Sequence, residues 1–381
     1  MLHYHTAGES HGKGILALVD GFPAGVTIDT DLIDAELARR QGGYGRGGRQ
    51  KIETDRAEIL SGIWRGTSIG SPIALLVPNK DYKINEMDDL ECPRPGHGDL
   101  SGSVKYHGSI RGILERASAR ETSGRVAAGA LARQVCSPLG IRTIGYVTEI
   151  GPLELPPKPG SMDEHLAMRE ESCVYSLNPE LDGDAKKLID ECLIAGDTLG
   201  GVVEVRVEGL PFGLGTHAQW DVKFDGRLAQ AVMAVQAVKG VEIGLGFEAA
   251  RRRGSEVHDP ILFEQDKAND NTLGYTRPTN HAGGLEAGMT NGQPLVVRAA
   301  VKPISTLAKP LESINLKTGK PGEASYERSD VCAISAASVV VENVVAFEVA
   351  RAVTDKFGHD HIDEIVAHWK LFEETVRKRK F

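Results

Sequence analysis

Aromatic residues are scarce in this 381-residue chain, at 5%, and it has no excess of positive charge. Lysine and arginine total 44 against 53 aspartates and glutamates, a formal charge of −9. Binding to nucleic acid through bulk charge is therefore disfavoured, although a local basic pocket is not. Cysteine is also sparse. The five residues Cys92, Cys136, Cys173, Cys192 and Cys332 are widely spaced and form no Cys-x-x-Cys. That argues against a disulfide framework or a thiolate zinc site and fits a reducing cytoplasm. No run of about 18 apolar residues offers a transmembrane helix, so no membrane partner is expected. Met1 to Gly14 hold three histidines, a glutamate and a lysine, and no signal-peptide apolar stretch is expected there.

What is plentiful is glycine, with 44 residues, which implies many tight turns and close backbone approaches. The chain is long enough for a sizeable core, and no composition break divides it, so a single domain over 1–381 is expected. Apolar spacing predicts a helix over Asp31–Gln41, capped by Asp29 or Thr30 and stopped by Gly42-Gly43. Strands are expected at Ile73–Val77, Val203–Val207 and Pro294–Val301, and helices at Asp225–Val235 and Leu114–Cys136. The small residues of the last of these predict close packing against another helix. A long helix over Cys332–Lys356 is favoured by its length and the spacing of Val341, Val345 and Val349. Gly151–Glu164 is rich in proline and reads as a surface excursion. The mixture is α+β, not a regular βαβ series.

Six segments carry possible chemistry. Gly8-Glu9-Ser10-His11-Gly12 matches the Gly-x-Ser-x-Gly of hydrolases, but too little chain precedes Ser10 to build the required sheet. A polar turn near the N-terminus is the default for so short a match, and a catalytic histidine held on a glycine-flanked loop is the third reading. Arg39 to Arg49 sets Arg39, Arg40, Arg46 and Arg49 among glycines. Clustered guanidiniums suit phosphate or carboxylate; a plain solvated loop is the bland alternative and an RGG-type RNA segment a further one. Arg94-Pro95-Gly96-His97-Gly98-Asp99 fixes a histidine in a turn with a carboxylate two residues on. Arg116 and Arg120 are spaced to share a helix face, and Ser118 adds a donor beside free helix N–H groups. Lys302-Pro303-Ile304-Ser305-Thr306 puts a lysine and two hydroxyls after a strand. Arg328-Ser329-Asp330 precedes the last long helix, where Asp330 is either an N-cap or a working carboxylate. The trio His359, Asp360, His361 reads as a polar helix end in preference to a metal site. Together these segments describe an interior pocket for a strongly anionic small molecule on an acidic chain.

These segments also resemble the chorismate synthase family. The likeness rests on Gly8 to Gly12, Val19 to Pro23, Arg39 to Gly47, Arg94 to His97 and Arg116 to Thr122. It continues through Gly196 to Val203, Ala237 to Gly244, Lys302 to Ile304 and Arg328 to Asp330, in family order. The resemblance implies a β-α-β sandwich with helices held between antiparallel sheets, assembled as a homotetramer. It implies a trans-1,4-elimination of phosphate from 5-enolpyruvylshikimate 3-phosphate, with reduced FMN required and NADPH a possible reductant. The chain's ordinary length leans toward an external flavin reductase as the source of reduced flavin.

By motif position, Arg40, Arg46 and Arg120 resemble substrate contacts, the first two also associated with NADP. Arg116, Ala117, Ser118, Gln236, Ala237, Lys302 to Thr306 and Arg328 resemble flavin contacts. His11 resembles the acid that protonates the departing phosphate, and His97 the group facing the flavin. Ser10 and Asp330 resemble a pair assisting removal of the ring hydrogen. Four positions depart from the family pattern. The entry Leu2 to Thr6 is unusual, Gly98 replaces an alanine, Ser109 an aspartate, and Ala287 a glycine expected to approach FMN.

Overall fold

A computed structural model describes residues 1–47, 54–327 and 329–379. Two antiparallel sheets carry the architecture. The first contains β1 (His3–Ala7), β2 (Gly14–Asp20), β3 (Glu58–Ile59) and β4 (Ile73–Pro78), in the order β1-β2-β4-β3. The second contains β5 (Arg142–Ile150), β6 (Leu153–Glu154), β7 (Gly201–Glu208), β8 (Val238–Ile243) and, after a small hairpin, β11 (Leu295–Val301). Its order is β8-β11-β7-β5-β6, and each neighbouring pair is antiparallel. The hairpin strands are β9 (Leu285–Glu286) and β10 (Met289–Asn291). In β7, Val203, Val205 and Val207 are fully buried between partly exposed Glu204 and Arg206, the alternation expected of a half-buried strand.

The principal helices are α1 (Thr30–Gln41), α2 (Asp99–Tyr106), α3 (Ile110–Ala117), α4 (Thr122–Cys136), α5 (Met162–Glu171), α6 (Asp182–Ala195), α7 (Phe224–Met233), α8 (Ile334–Phe357) and α9 (Ile362–Lys378). Helix α4 packs on β2 and β4 of the first sheet, and α8 packs on β5 and β7 of the second. The two helices pack on each other, so helices lie between antiparallel sheets. One continuous apolar core joins residues from Leu2 to Trp369. Helix α8 is apolar nearly all round because it is buried nearly all round. The small residues of α4 permit the close crossing the sequence predicts. A Cβ on Gly129 would lie 2.2 Å from the Asn343 carbonyl oxygen of α8.

Two expectations are corrected. The helix read over Leu114–Cys136 is broken at Ser118, whose ψ of 144° is extended, and a 3-10 turn at Ala119–Glu121 precedes α4. The stretch Gly151–Glu164 is only partly an excursion. Leu153–Glu154 pairs with β5, and a capping box at Ser161 and Glu164 starts α5.

Candidate active site

The break at Ser118 shapes a cavity of about 420 Å³, because it turns Ala117, Ser118, Ala119 and Arg120 onto one wall. Ser118 is held there by its own hydroxyl, which accepts from the Arg120 N–H at 3.3 Å and donates to Ser10 Oγ at 3.2 Å. The loop Gly8–Gly12 joins two antiparallel strands, β1 and β2. A hydrolase elbow links a strand to a helix, so that reading is excluded. Gly8 has φ +107°, and a Cβ there would meet the Gly14 carbonyl oxygen at 2.1 Å, so the loop turns only with glycine. Asn79 ties the loop down by donating through Nδ2 to the carbonyls of Glu9, Ser10 and Gly12 at 2.8–3.1 Å.

His11 and His97 both reach the cavity, and each is backed by a buried carboxylate. Glu115 accepts from the His11 backbone N–H at 2.7 Å and lies 2.9 Å from His11 Nδ1. Asp81 stands 3.9 Å from Nε2 on the other side of the ring. Asp99, fully buried, lies 2.5 Å from His97 Nδ1. A carboxylate only accepts, so Nδ1 of each ring carries the proton and each Nε2 is left for a ligand. Arg94 completes the second pair, donating to Asp99 through its backbone N–H, Nε and Nη2 at 2.8–3.0 Å. Burial alone would raise Asp99, but the bonds from His97 and Arg94 outweigh it and hold the carboxyl well below the usual range. Glu115 is likewise raised by burial yet held low overall by its two bonds from His11.

Three further arginines converge on the cavity. Arg40 Nη2 donates to Asp55 at 2.7 Å, and Arg120 Nη1 donates to the same carboxylate at 2.6 and 2.7 Å. Arg120 also donates from Nε to Asn79 Oδ1 at 2.7 Å. Arg46 pairs with Asp330 at 3.0 Å, and Asp330 accepts from the Gly47 N–H at 2.6 Å. Asp330 is therefore no N-cap, since α8 begins at Ile334 with Ala333 at its cap. It clamps the glycine-rich segment against the cavity.

The opposite wall comes from strand ends. Gln236 and Ala237 lead into β8, and Lys302, Ile304, Ser305 and Thr306 follow β11. Burial lowers Lys302, and the neighbouring Lys239 and Arg94 lower it further. Not every residue singled out by sequence arrives. Arg116 turns away from the cavity to donate to the carbonyls of Gly8 and Thr6, because the break at Ser118 parts it from Arg120. Pro303 is not on the lining. Ala287 is not either: it occupies the two-residue turn of the β9–β10 hairpin with φ +50°, followed by Gly288 at φ +78°. A type I′ hairpin turn demands positive φ at both positions, which accounts for glycine there on backbone grounds. Arg49 and Arg328 lie outside the described residues. Asp55, Asn79 and Glu115 are the polar groups that sequence reasoning did not select. Among the described residues no group of three or more His, Cys, Asp or Glu side chains is placed to hold a metal. His361 instead caps α9, accepting from the Asp363 N–H at 3.2 Å.

Comparison with known proteins agrees with this geometry. The family model described as chorismate synthase matches residues 2–354. A chorismate synthase of Trichlorobacter lovleyi is 53% identical over 378 residues, covering 96% of each chain. One from Symbiobacterium thermophilum is 51% identical, covering 99% of this chain and all of its own. A crystal structure of a chorismate synthase superposes with a TM-score of 0.81 at 40% identity, covering 99% of both chains. The chain belongs to the chorismate synthase family, the phosphate-eliminating lyases that complete the shikimate pathway.

Proposed function

We propose that the cavity performs the trans-1,4-elimination of phosphate from 5-enolpyruvylshikimate 3-phosphate to give chorismate. The observation that carries the reading is the meeting of three buried arginines, the largely covered side chain of Arg46 and two carboxylate-backed histidines on one cavity. The substrate has two carboxylates and a phosphate, and guanidiniums bind such groups through paired N–H donors. Arg40, Arg46 and Arg120 are assigned to the substrate.

The family uses reduced FMN, and the donor set here fits it. Gln236 Oε1 is buried without a hydrogen-bond partner among the described residues, an acceptor suited to a ligand donor. Lys302 has no ion pair among the described residues and stands beside the hydroxyls of Ser305 and Thr306, a set suited to a phosphate ester. Ala117, Ser118 and Ala237 supply the adjoining wall. When bound, reduced FMN supplies the electron-rich partner that lets phosphate and the ring hydrogen depart without net redox change.

The remaining work belongs to the chain. Glu115 holds Nδ1 of His11, so that Nε2 of the imidazolium delivers a proton to the departing phosphate. Asp99 and Arg94 hold His97 so that its Nε2 keeps or takes the proton of the flavin ring. Ser10 and Asp330 stand on the same lining and assist loss of the ring hydrogen. The chain's ordinary length, without large insertions, favours an outside source of reduced flavin over a built-in NADPH-dependent reduction. Among the described residues no helix is long and apolar enough to cross a membrane. The five free cysteines support a cytoplasmic location. Exposed Trp220, Phe247, Ile261 and Phe263 offer apolar surface for the homotetramer.

His11→Asn tests the assignment. Turnover is expected to fall about 10²- to 10⁴-fold while substrate still raises the melting temperature. Undiminished turnover would show that another group protonates the phosphate.

A further inference from the structure

Asp55 has no place in the roles assigned above, yet its carboxylate is shared by two of the cavity's arginines. It is 3% exposed and absent from the lining, so it lies behind the arginines. Both its oxygens are within 2.7 Å of guanidinium nitrogens, one from Arg40 and one from Arg120. Its backbone N–H donates to Gln41 Oε1 at 3.0 Å, which anchors it to the end of α1. Burial and the repulsion of Arg120 and Arg46 pull Arg40 down to about 10, and Asp55 is the group that opposes them. Arg40 keeps one buried donor, Nε, without a partner.

Among the described residues the two guanidiniums share this single carboxylate, which leaves one positive charge uncompensated. Anions entering the cavity meet that remainder and not the full pair. We infer that Asp55 is a resident counter-anion: it moderates the grip of Arg40 and Arg120 on phosphate, so that the phosphate released by the reaction leaves. The inference rests on the assignment of those two arginines to the substrate's anionic groups. It differs from a scaffold role in sign. A scaffold that merely aims the arginines predicts weaker phosphate binding when Asp55 is lost. A counter-anion predicts tighter binding, because phosphate then takes over the compensation that Asp55 supplied.

The test is calorimetric titration of inorganic phosphate into the purified full-length chain. Asp55→Asn is expected to bind phosphate at least about tenfold more tightly than the parent. Asp55→Ser, a smaller neutral replacement, gives the same direction should the asparagine variant fold poorly. Asp55→Glu, which keeps the charge, stays within about threefold of the parent. Equal or weaker phosphate binding in the neutral variants overturns the inference. Arg40→Ala and Arg120→Ala separate the two layers of the argument. Parent affinity that is lost in these variants upholds the arginine assignment whatever Asp55 does. Affinity indifferent to both variants shows that phosphate binds elsewhere and removes the inference with its premise.

Discussion

Replacing Glu342 by glutamine removes one charge from the centre of the molecule and almost nothing else. Glu342 lies on α8, is 1% exposed, and accepts from Arg133 at 2.9 Å and Arg169 at 3.2 Å. Arg39 is its third partner. Glu36 supports the same cluster from α1, 3.0 Å from Arg39 and 3.2 Å from Arg133. Burial would raise Glu342, but the three arginines outweigh it and bring it down from 4.5 to about 2. A depression of that size is worth roughly 3 kcal/mol of stability. Breaking one member out of a buried ion network costs about 3–5 kcal/mol by mutational precedent, which agrees. Because the folded-state value lies below the unfolded one, the contribution is complete above the ordinary carboxylate range. It is lost as pH falls from there toward about 2. The urea midpoints of the parent and Glu342→Gln should therefore differ by a constant, large amount from neutrality down to about pH 5 and converge below it. A difference under about 1 kcal/mol at neutral pH, or one that ignores acidification, would refute the reasoning.

Two further substitutions probe the backbone. Gly129→Ala places a methyl 2.2 Å from the Asn343 carbonyl oxygen, so overpacking outweighs the roughly 1 kcal/mol gain in helix propensity, and the urea midpoint should fall. A raised midpoint would mean that α4 and α8 separate readily. Ala287→Gly relieves a left-handed alanine in the β9–β10 turn and should stabilise by about 0.5–1 kcal/mol without changing flavin affinity. A change in FMN binding measured by fluorescence quenching would instead place that turn at the cofactor.

The strands at Ile73–Val77, Val203–Val207 and Pro294–Val301 and the two central helices were legible because their burial is periodic or complete, whereas β1, β2, β5 and β8 were not read from the sequence. Val203, Val205 and Val207 alternate since one face of β7 is covered, and α4 is rich in alanine and glycine since it must cross α8 closely. The break at Ser118 was not legible. Ala117-Ser118-Ala119 is compatible with a helix, and the turn is fixed by the Ser118 hydroxyl, which donates to distant Ser10 and accepts locally from the Arg120 N–H. That one turn decides that Arg120 faces the cavity and Arg116 does not. His11 and His97 stood out in their glycine turns, and Asp99 was visible two residues from its histidine. Glu115 carried no signal of its role, because its partner His11 lies 104 positions away. Asp55 carried no local signal at all, since its value comes from Arg40 and Arg120, 15 and 65 positions distant.

The central claim is met most directly by an anaerobic assay of the purified protein with 5-enolpyruvylshikimate 3-phosphate and photoreduced FMN, following chorismate and phosphate together. Equal release of both, abolished when the flavin is oxidised and not restored by adding NADPH, is the predicted result. Phosphate released without chorismate, or no product from protein that binds both flavin and substrate, would contradict it.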